Sequence, residues 1–203
     1  MSKHIKRKGD SMVRDTLIIF AITIVAGLLL GGVFSLTKAP IEKASQDAKN
    51  ESYQLVMPEA KTFEEDANLT KSMKQAKLDG CVFNEIVRAK DEASNAAGYA
   101  ILVTSKEGYG GDIQFSLGVS TDGVLQGVEI ISMSETAGLG ARCTEDEFKN
   151  QFKGISAGEV KLVKGDKSGD DQISAISGAT ITSTAITKAV NQALAFISQI
   201  KEG

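Results

Sequence analysis

An uncharged run of 21 residues near the N-terminus, at positions 16–36, constrains this chain more than any other feature. It reads TLIIFAITIVAGLLLGGVFSL. A bilayer core of about 30 Å is crossed by about 20 apolar residues in a helix, so the run predicts a transmembrane helix. The alternative is a cleaved signal peptide, whose apolar region is shorter, at about 7–15 residues, and precedes a small-residue cleavage site. Because this run is long and continues into SLTKAP, we favour a retained membrane anchor.

Basic residues predict the orientation of this span. Before it stand Lys3, Lys6, Arg7, Lys8 and Arg14, and after it come Lys38, Lys43 and Lys49, which acidic residues balance. The side of a span that is richer in lysine and arginine faces the cytoplasm. We therefore expect a single-pass protein of the cell membrane, with its N-terminus in the cytoplasm and its main domain on the outer side.

We expect four segments along the chain. They are a basic cytoplasmic tail at 1–15, the transmembrane helix at 16–36, a helical stalk at 37–60 and an extracytoplasmic domain at 61–203. The stalk is rich in Ala, Glu, Lys and Gln, which favour helix, and Pro58 predicts its end.

The outer segment reads as an α+β domain. Strands are predicted at 81–89, 98–104, 113–119 and 124–132, and the turn at Thr121-Asp122-Gly123 predicts a hairpin between the last two. A capping box at 144–147 predicts a short helix that ends near Phe152. A final helix is expected from about Ser183, with one apolar face. Together these elements predict an antiparallel sheet flanked by helices.

Several classes of site are excluded by composition. The only histidine is His4, in the basic tail, so the main domain cannot build a Ser-His-Asp or Cys-His arrangement. Cys81 and Cys143 form no CxxC pair, so no zinc or iron–sulfur site is expected. They are either two buried thiols or a single disulfide. The net charge of −3 gives no case for nucleic-acid binding.

A cluster of hydroxyl residues precedes the final helix, within ISAISGATITSTAITKAV. It contains Ser174, Ser177, Thr180 and Thr182. The N-terminus of a helix offers free N–H groups and the positive end of the dipole to a phosphate, and Gly178 allows a ligand to approach the backbone. The alternative is that these hydroxyls only cap the helix.

Two glycine-rich segments stand beside predicted strand ends, where binding loops often lie. They read SETAGLG at 134–140 and EGYGGDIQ at 107–114. The alternative is a pair of ordinary tight turns.

The order of span, GYxG-type loop, ETxGLG-type loop and SGATxT resembles the G subunit of the Rnf-type ion-translocating electron-transport complex. More broadly it resembles the FMN-binding domain shared with the C subunit of the sodium-pumping NADH:quinone reductase. The resemblance implies that a flavin transferase esterifies FMN, through its phosphate, to Thr180. It further implies contacts with the other motif positions, which are Ser177, Gly178, Ala179, Thr182, Glu135, Thr136, Gly138, Leu139, Gly140, Tyr109 and Gly110. This chain departs from the family pattern at Ser174, where many members have Asp, and at Ala137, where Pro is common.

By this resemblance, the expected function is a membrane-anchored flavoprotein subunit that relays electrons through covalently bound FMN within an ion-translocating ferredoxin:NAD oxidoreductase complex. Its expected partners are the other membrane subunits, the flavin transferase and the lipid bilayer through residues 16–36. It would need no metal and no catalytic residue of its own, because the flavin supplies the redox chemistry. The alternatives are a covalent-FMN subunit of a quinone reductase or extracellular electron-transfer chain, a flavin-free anchored binding domain and, least favoured, a hydrolase.

Overall fold

The structure, a computed structural model, describes residues 3–156 and 158–202, with side chains for 12–156 and 158–200. Its helices are α1 Lys3–Val56, α2 Ala67–Gln75, α3 Asp146–Lys149 and α4 Thr180–Glu202. Its strands are β1 Thr62–Glu65, β2 Cys81–Lys90, β3 Ala96–Ser105, β4 Ile113–Ser120, β5 Leu125–Met133, β6 Lys161–Val163 and β7 Gln172–Ser174. Two 3-10 helices, Gly140–Thr144 and Asn150–Phe152, flank α3.

The chain divides into two compact units, one ending at Asp47 and the other starting at Ala48. In the first unit the large apolar side chains of residues 16–36 are exposed. Among the described residues, one helix is long and apolar enough to cross a membrane. Helix α1 continues through Pro40, which cannot donate a backbone hydrogen bond.

The second unit is built on a five-stranded antiparallel sheet in which each strand pairs with the next along the chain, in the order β1-β2-β3-β4-β5. The predicted hairpin turn is present, because Ser120 N–H donates to Val124 O at 2.9 Å and Gly123 N–H donates to Ser120 O at 2.9 Å. The β-rich composition of β2 and β3, the alternation in β4 and the turn before β5 therefore located these four strands to within two residues.

The two faces of the sheet bury separate apolar layers. One face packs on α4, where Ile101, Phe115 and Ile186 are fully buried. The other face receives the C-terminal end of α1, where Tyr53 and Val56 are buried. Helix α4 therefore rests on the middle of the sheet, and its N-terminus is held in place by the larger core.

Two local predictions were wrong. Thr144 does not begin a capping box. It ends the first 3-10 helix and its hydroxyl donates to Ala141 O at 3.0 Å. Glu145 precedes α3 without a side-chain cap. Helix α4 begins at Thr180, three residues before the expected start.

Some elements were not predicted at all. They are the edge strand β1, the helix α2 and the parallel pair β6–β7. Helix α2 begins after Asp66, whose carboxylate accepts from Asn68 N–H at 2.7 Å and Leu69 N–H at 3.3 Å. Such an N-cap satisfies two of the backbone donors that a helix leaves free at its start.

Candidate functional site

The SGAT segment is a tight connection between β7 and α4. Gln151 fixes its beginning, because its amide accepts from Ser174 N–H at 2.7 Å and donates to Ser174 O at 3.4 Å. Ala179 N–H then donates to Ile176 O at 2.9 Å and closes a turn. Gly178 has a φ of +76°, a conformation that residues with a Cβ rarely adopt, so the turn requires glycine at this position.

Ser183 holds this turn from within α4. Its side chain is completely buried, and its hydroxyl accepts from Ile176 N–H at 3.0 Å and donates to Ala179 O at 3.1 Å. The sequence analysis missed this role and used Ser183 only to mark the start of a helix. The available signal was a hydroxyl in the first turn of a helix that follows a glycine turn.

The hydroxyl groups near the start of α4 fall into two sets. Those of Ser183, Thr184 and Thr187 donate to backbone carbonyls of the preceding turn. The hydroxyls of Thr180 and Thr182 make no hydrogen bond within the described part of the chain. The second set is therefore free to contact a ligand.

Thr182 has only 1% of its surface exposed, and its hydroxyl has no partner among the described residues. The fully buried unpaired oxygens among the described residues are those of Tyr53 and Ser116, so the Thr182 oxygen is itself accessible and can contact a ligand.

The ETAGLG segment leaves β5 and lies against the GYGG segment. The Glu135 carboxylate connects them, because its Oε1 accepts from Gly110 N–H at 3.3 Å. Gly140 lies beneath the same carboxylate, and a Cβ at position 140 would collide with Glu135 Oε2 and lie 2.7 Å from Thr182 Oγ1. The absence of a side chain at Gly140 thus lets Glu135 and Thr182 approach the same point.

The three motifs enclose one cavity of about 560 Å³. It is lined by Tyr109, Glu135, Thr136, Leu139, Gly140, Gly178, Ala179, Thr180, Ile181 and Thr182. Three apolar side chains stand at it from three different segments, with exposed fractions of 71% for Tyr109, 44% for Leu139 and 54% for Ile181. Ile181 was not among the predicted site residues, although it lies inside the quoted SGATIT run.

A second cavity of about 480 Å³ adjoins the first and shares Gly178 and Thr180 with it. Two cations line it, Arg142 and Lys164, together with three carboxylates at Glu145, Glu147 and Asp166. Arg142 is paired with Glu145 at 3.1 Å and with Glu147 at 3.5 Å. The second cavity is thus lined by charged side chains of both signs, whereas the lining of the first contains no cation.

Three of the predicted site residues lie outside the first cavity. Ser177 lines only the second cavity. Gly110 contacts Glu135 through its N–H rather than the cavity itself. Gly138 occupies an exposed turn with a φ of +74°.

An ion-pair cluster ties the GYGG segment to the face of α4. Lys188 Nζ lies 2.7 Å from Glu107 Oε1 and 2.8 Å from Asp79 Oδ2. The hydrogen bonds from Lys188 to Asp79 and Glu107 raise the pKa of Lys188 above its usual value. Lys106 also pairs with Asp112 across the loop. These ion pairs lie on both sides of Tyr109 in the sequence, at residues 106–107 and 112.

The structure contains Cys81 and Cys143 as separate buried thiols. Burial raises the pKa of each thiol to about 11. A thiol is a nucleophile and metal ligand only when deprotonated, so burial disfavours both roles for the two cysteines. Among the described residues there is also no group of histidine, cysteine or carboxylate side chains able to hold a metal ion.

Residues 108–195 match the family model of the FMN-binding domain. The matched segment starts in the GYGG loop and ends in α4, so it contains all three motifs.

Curated relatives match nearly the whole chain. The G subunit of the Na⁺-translocating ferredoxin:NAD⁺ oxidoreductase complex of Acetobacterium woodii is 34% identical over 190 residues, which cover 88% of this chain and 87% of that protein. The G subunit of the ion-translocating oxidoreductase complex of Methanosarcina acetivorans is 31% identical, covering 87% of this chain and 89% of that protein.

Solved structures share the fold. The C subunit of the Na⁺-translocating NADH-quinone reductase from Parabacteroides distasonis superposes with a TM-score of 0.58 at 20% identity, covering 80% of this chain and 96% of that chain. NqrC of Shewanella oneidensis gives a TM-score of 0.51 at 23% identity, covering 58% of this chain and 61% of that chain.

Proposed function

Because the chain belongs to the G-subunit family of ion-translocating oxidoreductase complexes, we propose that it relays electrons through FMN esterified to Thr180. The observation that carries the proposal is the first cavity, where the FMN-binding motifs converge around two hydroxyls without partners among the described residues, Thr180 and Thr182. The chain is one member of a complex, so its electron donor and acceptor are other members of that complex.

The residues of the cavity fit a flavin. Its lining combines apolar side chains for the ring with a carboxylate and hydroxyls that can hydrogen-bond to the ring's polar edge. Ligand sites have this composition in general, with few polar groups among apolar ones. The space beside Gly140 is filled by Glu135 and Thr182, and a Cβ at Gly178 would lie 3.0 Å from the Leu139 side chain, so glycine at both positions permits the packing of the residues that line the cavity.

Thr180 is the acceptor that best suits a phosphate. It is the first residue of α4, where the helix dipole and the free N–H groups favour an anion. It lines both cavities, so an ester at its Oγ1 can direct the ring into the first cavity and the ribityl phosphate toward the second. Thr180 Oγ1 has no intramolecular partner among the described residues.

The esterification needs only the Thr180 hydroxyl from this chain. A bond forms between Thr180 Oγ1 and the phosphorus of an activated FMN donor, a phosphoanhydride of the donor breaks, and the hydroxyl proton leaves. The described residues of the outer domain include no histidine beside Thr180 to accept that proton. We assign that role to the flavin transferase, which would bring the base and the donor.

The apolar helix would anchor the domain in the cell membrane. The lysine and arginine excess before residue 16 supports an N-terminus in the cytoplasm, and the FMN domain would then lie on the outer side. Free FMN would be scarce there, and an ester bond would prevent its loss.

The test is flavin attachment in the full-length protein, made in a host that supplies the flavin transferase. In-gel fluorescence after denaturation and intact mass would be measured for the wild type, Thr180→Val and Thr180→Ser. Valine keeps the shape of threonine without the hydroxyl, and serine keeps the hydroxyl. We expect one FMN on the wild type and on Thr180→Ser, and none on Thr180→Val.

Two results would contradict the proposal. Flavin retained by Thr180→Val but lost from Thr182→Val would move the ester to Thr182. A wild-type protein without flavin would leave an anchored binding domain with a capped helix.

A further inference from the structure

Electrostatics of the first cavity carry a prediction about the flavin's chemistry. The ten residues that line it include one carboxylate, Glu135, and no lysine or arginine. Arg142 of the adjoining second cavity pairs with Glu145 and Glu147, and Lys188 pairs with Asp79 and Glu107, whereas Lys164 of the second cavity makes no ion pair among the described residues.

We propose that Glu135 lowers the reduction potential of the bound flavin by placing a fixed negative charge against the ring. This inference rests on the proposed function, because it needs FMN in the first cavity. It assigns Glu135 a tuning role, distinct from simple contact with the ring.

The Glu135 carboxylate is held in position by backbone contacts. Gly110 N–H donates to Oε1 at 3.3 Å, and a Cβ would lie 2.7 Å from Oε1 if added at Gly108 and would collide with Oε2 if added at Gly140. No hydrogen bond within the described residues involves Oε2. One oxygen therefore fixes the side chain, and the other is available to the cavity.

Thr182 supplies a second polar group at this point of the cavity lining. The residue is almost completely buried, and its hydroxyl lies close to the same position as Glu135 Oε2 without a partner among the described residues. A carboxylate and a hydroxyl that converge without bonding to other side chains form a polar end to an otherwise apolar cavity. A ring N–H can donate to Glu135, and a ring carbonyl can accept from Thr182.

The sign of the effect follows from the charge of the reduced ring. Two electrons taken up with one proton add one negative charge to the ring, and two electrons taken up with two protons add none. A carboxylate a few ångström away, in a site partly shielded from water, repels added charge. Glu135 thus disfavours the charged product and makes the flavin a stronger reductant, and no cation in the lining offsets it.

The experiment is a spectroscopic redox titration of the full-length, flavin-loaded protein in detergent, for the wild type, Glu135→Gln and Glu135→Asp. Glutamine keeps the size of the side chain and an oxygen for Gly110 N–H but removes the charge. Aspartate keeps the charge and is the conservative control. We expect Glu135→Gln to shift the equilibrium between oxidised and reduced flavin about tenfold toward the reduced form, which raises the potential by about 30 mV for a two-electron couple. The potential of Glu135→Asp should stay nearer that of the wild type.

An unchanged or lower potential in Glu135→Gln would overturn the inference. If Glu135→Gln does not fold, Thr136→Lys places a cation beside the carboxylate at an exposed lining position, and it should raise the potential similarly. An unchanged potential in that variant would also overturn the inference.

This test is separable from that of the ester. The flavin content of each sample is measured by mass before titration, so a wild type without FMN refutes the proposed function and leaves no potential to compare. A loaded wild type whose potential is insensitive to Glu135 refutes only the tuning role.

Discussion

Replacing Ser183 with alanine tests whether the buried hydroxyl holds the SGAT turn. The wild-type hydroxyl accepts from Ile176 N–H and donates to Ala179 O, and the site is fully buried. Ser183→Ala leaves the Ile176 N–H without a partner, which costs about 1–3 kcal/mol. Alanine's greater helix propensity offsets about 0.5 kcal/mol of this. The net loss of unfolding free energy is therefore about 0.5–2.5 kcal/mol.

Thr184→Ala is the matched control. Thr184 also donates to a backbone carbonyl, that of Thr180 at 2.8 Å, but its side chain is exposed. Removing it leaves no buried donor, so the change in stability should stay within about 0.5 kcal/mol. The two variants differ in burial and in the bond to Ile176, and both replace a hydroxyl residue of the same helix by alanine.

Urea unfolding and thermal unfolding of the full-length protein in detergent would measure the difference. A loss of about 0.5–2.5 kcal/mol corresponds to about 1–10 °C in the melting temperature of a domain of this size. Hydrogen exchange adds a local measurement, because the Ile176 amide should lose protection only in Ser183→Ala. Equal stability of the two variants, with Ile176 still protected, would refute the assignment of Ser183 as the residue that holds the turn.

Two further perturbations test the site and the fold. Gly140→Ala would place a Cβ against Glu135 and Thr182, so we expect the free energy of unfolding to fall by about 1–3 kcal/mol and the FMN content to decrease. Gly158→Ala is the neutral control, because a Cβ there would have nothing within 4 Å. Equal results for the two variants would contradict the close approach of Glu135 and Thr182 to Gly140. The hydrogen bond from Arg88, and after it the one from Asn68 N–H, lowers the pKa of Asp66 below its usual value. Ionised Asp66 therefore stabilises the fold above about pH 4, and this contribution disappears as the pH falls through the lowered pKa of the folded state. Urea unfolding at pH 7 and pH 3 should therefore show a wild-type advantage over Asp66→Asn at pH 7 that shrinks at pH 3, and an advantage independent of pH would contradict the assignment.

The sheet was predictable because its signal is local. Alternating apolar residues and the turn at 121–123 define β4 and β5, and the pairing in the structure follows chain order. The capping box at 144–147 was wrong for an equally local reason. The ETAGLG loop continues directly into a 3-10 helix that contains Thr144, so its hydroxyl is already used by Ala141 O. Short edge elements such as β1 have too few residues to show a period.

The site was predictable as a set of motifs but not as an arrangement. Glycine-rich loops after strands and hydroxyls before a helix indicate binding segments, and the structure gathers them around one cavity. The contact between Glu135 and Gly110 joins residues 25 positions apart, and no periodicity in the sequence relates them. Which hydroxyls bond to the backbone and which are available to a ligand also depends on burial. Burial was not evident from the sequence, so the role of Ser183 was missed.

The open rim of the cavity gives a physical reason for the covalent bond that we propose. A site that holds a small molecule by contact alone buries most of its surface, about 70–90%. Here the apolar side chains at the rim, Tyr109, Leu139 and Ile181, all remain substantially exposed. An ester to Thr180 would retain the flavin whatever fraction of the ring stays uncovered. The same openness would let a partner protein approach the ring closely enough to exchange electrons. The ester would thus retain the flavin in a site that must stay open for electron transfer.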